Sequence, residues 1–190
     1  MSPAKADLRA ALDAITSDRV LVKDHVPRIG ALQARHAHTI VAHPVDHTPG
    51  FNCFAFAFGL SNQAEYVRIA AAEHRAGESR FFASSAFAGA LLRDGALTPV
   101  CRRDLEPDDV ALYGAVDKPV NAGRALDARR IRSKWGRGHL YDHGLWEVPG
   151  HYGYVVRFYR AASSVPFPTW FDRFVRAHPA WPAFADTHLS

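Results

Sequence analysis

Of the 190 residues in this chain, Cys53 is the one best placed to do covalent chemistry. It lies in the stretch P-G-F-N-C-F-A-F-A-F-G-L over 49–60. Pro49-Gly50 is a turn signal and Asn52 a favoured helix N-cap, so the pattern predicts a short helix with the cysteine on its first turn. From Phe54 to Phe58 every residue is Phe or Ala. A helix without a polar face belongs in the centre of a domain, and Gly59 is a natural stop. A thiol at such a tip meets backbone N–H groups and the positive end of the helix dipole, which favour thiolate and can receive an oxyanion. Two blander readings fit the same letters. Free cysteine is among the most buried residue types, and F-A-F-A-F also alternates like a strand.

His36, His38, His43 and His47 fall close together and invite a metal reading. Pro44 lies between His43 and His47 and opposes a helix that would bring both to one face. Only Asp46 accompanies them as a carboxylate, whereas a zinc site needs three or four converging ligands with supporting partners. No metal and no other cofactor is expected. Arg124, Arg129, Arg130, Arg132, Lys134 and Arg137 form the one basic cluster. It reads as an anion-binding surface or, more simply, as a solvated face.

The chain bearing these residues is long enough for one ordinary domain with a full core. Its net charge of +4 is below what a nucleic-acid binder needs. No apolar run reaches the roughly 18 residues of a membrane span. The N-terminal M-S-P-A-K-A-D-L-R lacks an apolar signal core, so a cytoplasmic location is expected. Two cysteines, Cys53 and Cys101, make no disulfide framework, and Cys101 reads as structural.

The elements that must position Cys53 divide into a helical first half and a sheet-forming second half. Leu8, Leu12 and Ile15 predict a helix over 6–15, and R-V-L-V-K at 19–23 a short strand ended by Pro27. The segment 31–48 reads as irregular. A helix or an irregular excursion is expected over 61–75 and a helix from Ser79 or Ser84 to Arg93, then a brief extended piece at 99–103. Strands are expected at 109–113, 120–126, 130–135 and 152–160. A helix follows over 169–177, and 179–190 is an aromatic-bearing tail. Helices first and an antiparallel sheet afterwards make an α+β layout. It comprises an N-terminal segment 1–48, a core 49–160, and a C-terminal segment 161–190 packing on the same domain.

In that order the chain resembles largely uncharacterised bacterial proteins related to the NlpC-type, papain-like cysteine peptidases and amidases. The resemblance is carried by N-C-F-A-F-A-F-G at 52–59, D-V-A-L-Y at 109–113, P-V-N-A-G-R-A-L at 119–126, R-S-K-W-G at 132–136, L-Y-D-H at 140–143 and Y-G-Y-V-V-R-F-Y at 152–159. It implies a papain-like fold in which a Cys-bearing central helix packs on an antiparallel sheet that supplies a histidine base and an orienting residue. The position matching that histidine is Asn121, which cannot take and return a proton at neutral pH. His143 is the leading substitute base and, equally, reads as a structural side chain bonded to a backbone group and holding the S-K-W-G turn; His139, His151 and His47 are in reserve. Ser133 and Lys134 lie near the strand that supplies the orienting residue, and with Asn52 they are candidate substrate-binding residues.

Three functions follow. One is a thiol hydrolase or acyltransferase acting on an amide or thioester, with Cys53 as nucleophile, His143 as base and Asn121 as an orienting or oxyanion-side residue. Its partner is a small-molecule or peptide substrate. The second is a catalytically inactive papain-like module that binds another protein, with Trp170, Phe171, Trp181 and Phe184 as candidate docking residues. The third is an anion or nucleic-acid binder using the basic cluster, whose binding would fall steeply with salt.

Overall fold

The computed structural model describes residues 2–17, 19–45 and 51–189. Seven strands, β1 (Val41–His43), β2 (Leu97–Val100), β3 (Val110–Gly114), β4 (Pro119–Ala125), β5 (Arg130–Lys134), β6 (Leu140–Gly144) and β7 (Val156–Ala161), form one sheet. Their order is β1-β6-β5-β4-β3-β7-β2, and every neighbouring pair is antiparallel. Seven described helices accompany it: α1 (Pro3–Thr16), α2 (His25–Leu32), α3 (Cys53–Ala57), α4 (Ala64–Ala76), α5 (Ser85–Arg93), α6 (Phe167–Arg176) and α7 (Trp181–His188). The architecture is α+β, and no described helix is long and apolar enough to cross a membrane.

The sheet separates two cores, because successive side chains of a strand point to opposite faces. Val110, Leu112 and Ala122 join one core with the apolar faces of α3 to α7. Ala111, Tyr113, Ala125 and Ile131 join the other with Leu8, Leu12 and Ile15 of α1 and Ile29 and Leu32 of α2. The first core is rich in edge-to-face aromatic pairs, such as Phe58–Phe87 and Phe87–Phe171. Trp181 and Phe184 pack on Phe81 in the same core. The aromatic tail therefore forms α7 and is folded inward, and Trp170 and Phe171 of α6 also belong to this packing.

Several expectations need correction. No strand forms at 19–23; a 3-10 turn, Val22–Asp24, leads directly into α2. Pro27 sits in the first turn of α2, where its missing N–H has no helical partner to lose. The irregular stretch contains β1, and L-Y-D-H is most of β6, a strand not expected from the sequence. Strand β7 starts at Val156 instead of Tyr152, because Gly150–Tyr152 is a 3-10 turn and Gly153 has φ of 81°. Cys101 is exposed and packs in neither core.

Candidate functional site

Helix α3 forms as the sequence predicts, and for the predicted reason. Asn52 Oδ1 accepts from the Ala55 N–H at 2.8 Å, and its amide donates to the Ala83 carbonyl at 2.8 Å. One side chain thus caps the helix and ties it to the loop before α5. Gly59, at φ of 65°, turns the chain out of the helix. Pro49, Gly50, Asp46 and His47 lie outside the described residues. At five residues α3 has little macrodipole, so what surrounds Cys53 is a set of local N–H groups.

Helix α3 packs on β4 and β5. Cys53 is partly exposed, yet burial around its sulfur pushes the thiol up to about 11. The backbone N–H groups of Ala122, Phe54 and Cys53 itself, together with the charge of Lys134, pull in the opposite direction without cancelling it. Lys134 mirrors this: burial lowers its ammonium to about 8, and the Cys53 charge opposes that shift. Its Nζ donates to the Gly136 carbonyl at 2.8 Å and lies 5.5 Å from the Phe51 ring centroid. Cys53 and Lys134 are therefore the two reactive groups that this face of the sheet brings into one electrostatic environment. Below about pH 8 the pair is thiol and ammonium, and only above that does it become thiol and neutral amine.

His143 lies elsewhere. It pairs across the strands with Ile131, and Ser133 pairs with Tyr141. Cross-strand partners share a face, and Ile131 and Tyr141 belong to the core under α1 and α2. His143 is fully buried there. Its Nδ1 is 2.9 Å from the Gly144 carbonyl, which fixes the proton on that nitrogen. Nε2 then accepts from Ser133 Oγ at 2.8 Å, and Ser133 Oγ accepts from the Trp135 indole at 2.9 Å. Burial lowers the imidazole to about 4, so it stays neutral. The charges it feels most are those of Glu147, Asp142 and Arg130. The expectation of His143 as base to Cys53, and of Ser133 as a substrate contact, gives way to a closed structural network. Gly123 makes room for it, because a Cβ there would meet the Arg132 carbonyl at 2.7 Å and Ser133 Cβ at 2.8 Å.

Asn121 stands between the two arrangements. Its backbone neighbour Ala122 serves the Cys53 sulfur, while its own register partner Tyr113 belongs to the α1–α2 side. The amide donates to the Lys134 carbonyl at 2.9 Å, and Oδ1 is buried without a hydrogen-bond partner among the described residues. The Tyr152 hydroxyl lies beside this amide and the Gly136 backbone, and senses Cys53 as well. Burial holds Tyr152 well above the usual phenol value, so its O–H stays protonated and available as a donor. Sequence reasoning missed Tyr152, having placed it at the start of a strand. The signal was the following Gly153, which turns the chain at that point.

The other histidines are dispersed. His38 contacts Gln33 and the Ile29 carbonyl, His43 pairs with Asp142 at 3.0 Å, and His151 pairs with Asp13. His139 Nδ1 accepts from the Val45 N–H at 3.4 Å. Among the described residues no three His, Cys, Asp or Glu side chains converge as metal ligands. The basic cluster is largely engaged within the fold: Arg124 with Asp108 and the Ala57 carbonyl, Arg132 with Asp142, Arg130 with the Thr39 carbonyl.

The profile of a domain of unknown function, DUF7689, matches residues 42–160. The chain belongs to that family. No curated protein and no solved structure matches it. The DUF7689 segment runs from β1 to β7 and contains Cys53, Asn121, Lys134, His143 and Tyr152, whereas α1, α2, α6 and α7 lie outside it.

Proposed function

We propose that the domain is a thiol acyltransferase or hydrolase on a papain-like plan, in which Lys134 rather than a histidine serves Cys53 as base. The observation that carries this reading is the shared environment of a thiol at about 11 and an amine lowered to about 8. A neutral amine can accept the Sγ proton as sulfur attacks an acyl carbon, the logic of serine–lysine hydrolases transferred to sulfur. The oxyanion would be met by the N–H groups of Cys53 and Ala122, the donors that already face the sulfur. Lys134 would then return the proton to the departing amine or thiolate, and water or an acceptor would release the acyl group. Because the resting sulfur is a thiol, turnover is slower than in enzymes that store a thiolate.

The sign of the pH dependence follows from the base. Lys134 must be neutral to act, so acylation rises through about pH 8 and is lost as pH falls below it. The test is intact-mass measurement of Cys53 acylation by a small thioester between pH 6 and pH 9.5. A sigmoid centred near 8 that drops about 100-fold in Lys134→Met is expected.

Asn121 favours a second reading, a catalytically inactive papain-like binding module, because it occupies the position where the resemblance expects the base. On that reading Lys134→Met leaves the rate and pH profile of Cys53 modification unchanged.

A further inference from the structure

A cleft of about 680 Å³ lies on the α3 face of the sheet, walled by Phe51, Phe56, Val67 and Leu140 among other apolar side chains, and by the polar Ser61 and Asn62. Such a volume is typical of small-molecule sites, which measure about 300–1,000 Å³. Its walls connect to the reactive pair at three points. Phe51 and Phe56 flank Cys53 two residues before and three after, and Phe56 shares its side of the helix by i,i+3 spacing. The Phe51 ring is the one that Lys134 Nζ overlies. Leu140 is the cross-strand partner of Lys134 and shares its face. The cleft thus lies beside the Cys53–Lys134 pair, reaches Val67 on α4, and is lined mostly by apolar side chains.

We infer that this cleft takes the acyl portion of the substrate, and that the preferred acyl donors carry a large apolar acyl group. The inference rests on the acyl-transfer reading above and adds its substrate class. For a thioester donor, the Cys53 sulfur forms the new carbon–sulfur bond as the donor's carbon–sulfur bond breaks. The Cys53 proton passes through Lys134 to the departing thiolate. An apolar chain in the cleft would hold the carbonyl carbon over the sulfur and displace water from Phe51, Phe56 and Leu140, a gain that grows with chain length.

The experiment compares acetyl, butyryl and octanoyl thioesters of N-acetylcysteamine as donors, reading the rate of Cys53 acylation by intact mass, with Cys53→Ala as the blank. Octanoyl transfer at least about tenfold faster than acetyl is expected. Val67→Trp, at a 40% exposed position, should fill the cleft and bring that ratio to within about twofold of one. Val67→Phe is the second variant should the tryptophan disturb folding. Equal rates across the series would overturn the cleft assignment while leaving acyl transfer standing. A steep ratio that survives both variants would overturn it too, placing selectivity elsewhere. No Cys53 adduct with any donor would overturn the acyl-transfer reading itself.

Discussion

The two faces of this sheet carry similar chemical vocabularies in opposite states. Under α1 and α2, Ser133, His143 and Trp135 form a chain in which each polar atom facing the core has a partner, ending on the Gly144 carbonyl. Under α3, Cys53 and Lys134 are each displaced from their ordinary protonation behaviour, and each feels the other. Serine and lysine are adjacent in sequence at 133 and 134, so strand alternation alone sends one to each state. A satisfied buried network specifies a fold, whereas groups held away from their preferred charge are a hallmark of sites.

The largest effect that would sharpen this contrast concerns His143. Its proton affinity is lowered from the ordinary 6.5 to about 4, so between those values the unfolded chain binds the proton more readily. The stability tied to neutral His143 is complete above about pH 6.5 and is lost as pH falls toward 4. The loss is of the order of 3 kcal/mol. Urea unfolding of the protein and of His143→Gln at pH 7 and pH 4.5 should show a shallower acid loss in the variant. Equal losses would mean that the network is not what holds the imidazole neutral. Alkylation of Cys53 should not change in this variant, since the two side chains lie on opposite faces.

Lys134 supplies the converse test. A lysine lowered from 10.5 to about 8 burdens the folded state when charged, so stability should rise as pH climbs from about 8. Above 9 the thiol acts against it: with Cys53 raised from 9.0 to about 11, the unfolded chain releases that proton first, and the gain levels off. At pH 7, Lys134→Met should raise stability by about 1 kcal/mol, while slowing acylation, because removing a buried charge outweighs one hydrogen bond to Gly136. Destabilisation by a similar amount in urea would make Lys134 a structural strut and erase the difference between the faces.

The sequence made the α3 turn legible, because capping is local chemistry: Asn52, an all-apolar run and Gly59 say where a helix begins, hides and stops. Strands β3, β4, β5 and β7 were legible as short segments divided by Gly, Pro and Asp, the one leading into β7 most clearly through Val155, Val156, Phe158 and Tyr159. The N-terminal strand expectation failed because R-V-L-V-K has strand composition, whereas Asp24 to Leu32 offers a helix that packs on α1. The face on which each strand residue lies was harder to read. Register depends on pairing between segments far apart in sequence. His143 was chosen by its place in the chain, and only the Ile131–His143 pairing shows which core it enters. Tyr152 was hidden for a similar reason, since its approach to Asn121 is made by a turn after β6 and not by any periodic element.

The smallest effect tests how far α3 itself matters to the reactive face. Asn52 makes two hydrogen bonds, one closing the first turn of α3 and one to Ala83. Asn52→Ala should cost about 1 kcal/mol, the usual value of an N-cap, because the Ala55 N–H loses its acceptor. Since α3 has only five residues, fraying of its first turn reaches Cys53 and Phe54 at once. The N–H groups of those two residues help hold the thiol below where burial alone would put it. The variant should therefore alkylate with a broadened pH profile as water reaches the sulfur, while the Ser133–His143 network retains its acid sensitivity. A change in both would mean that the two faces are coupled through β4. A change in neither would mean that α3 is held by Phe54, Ala55 and Ala57 in the core, and not by its cap.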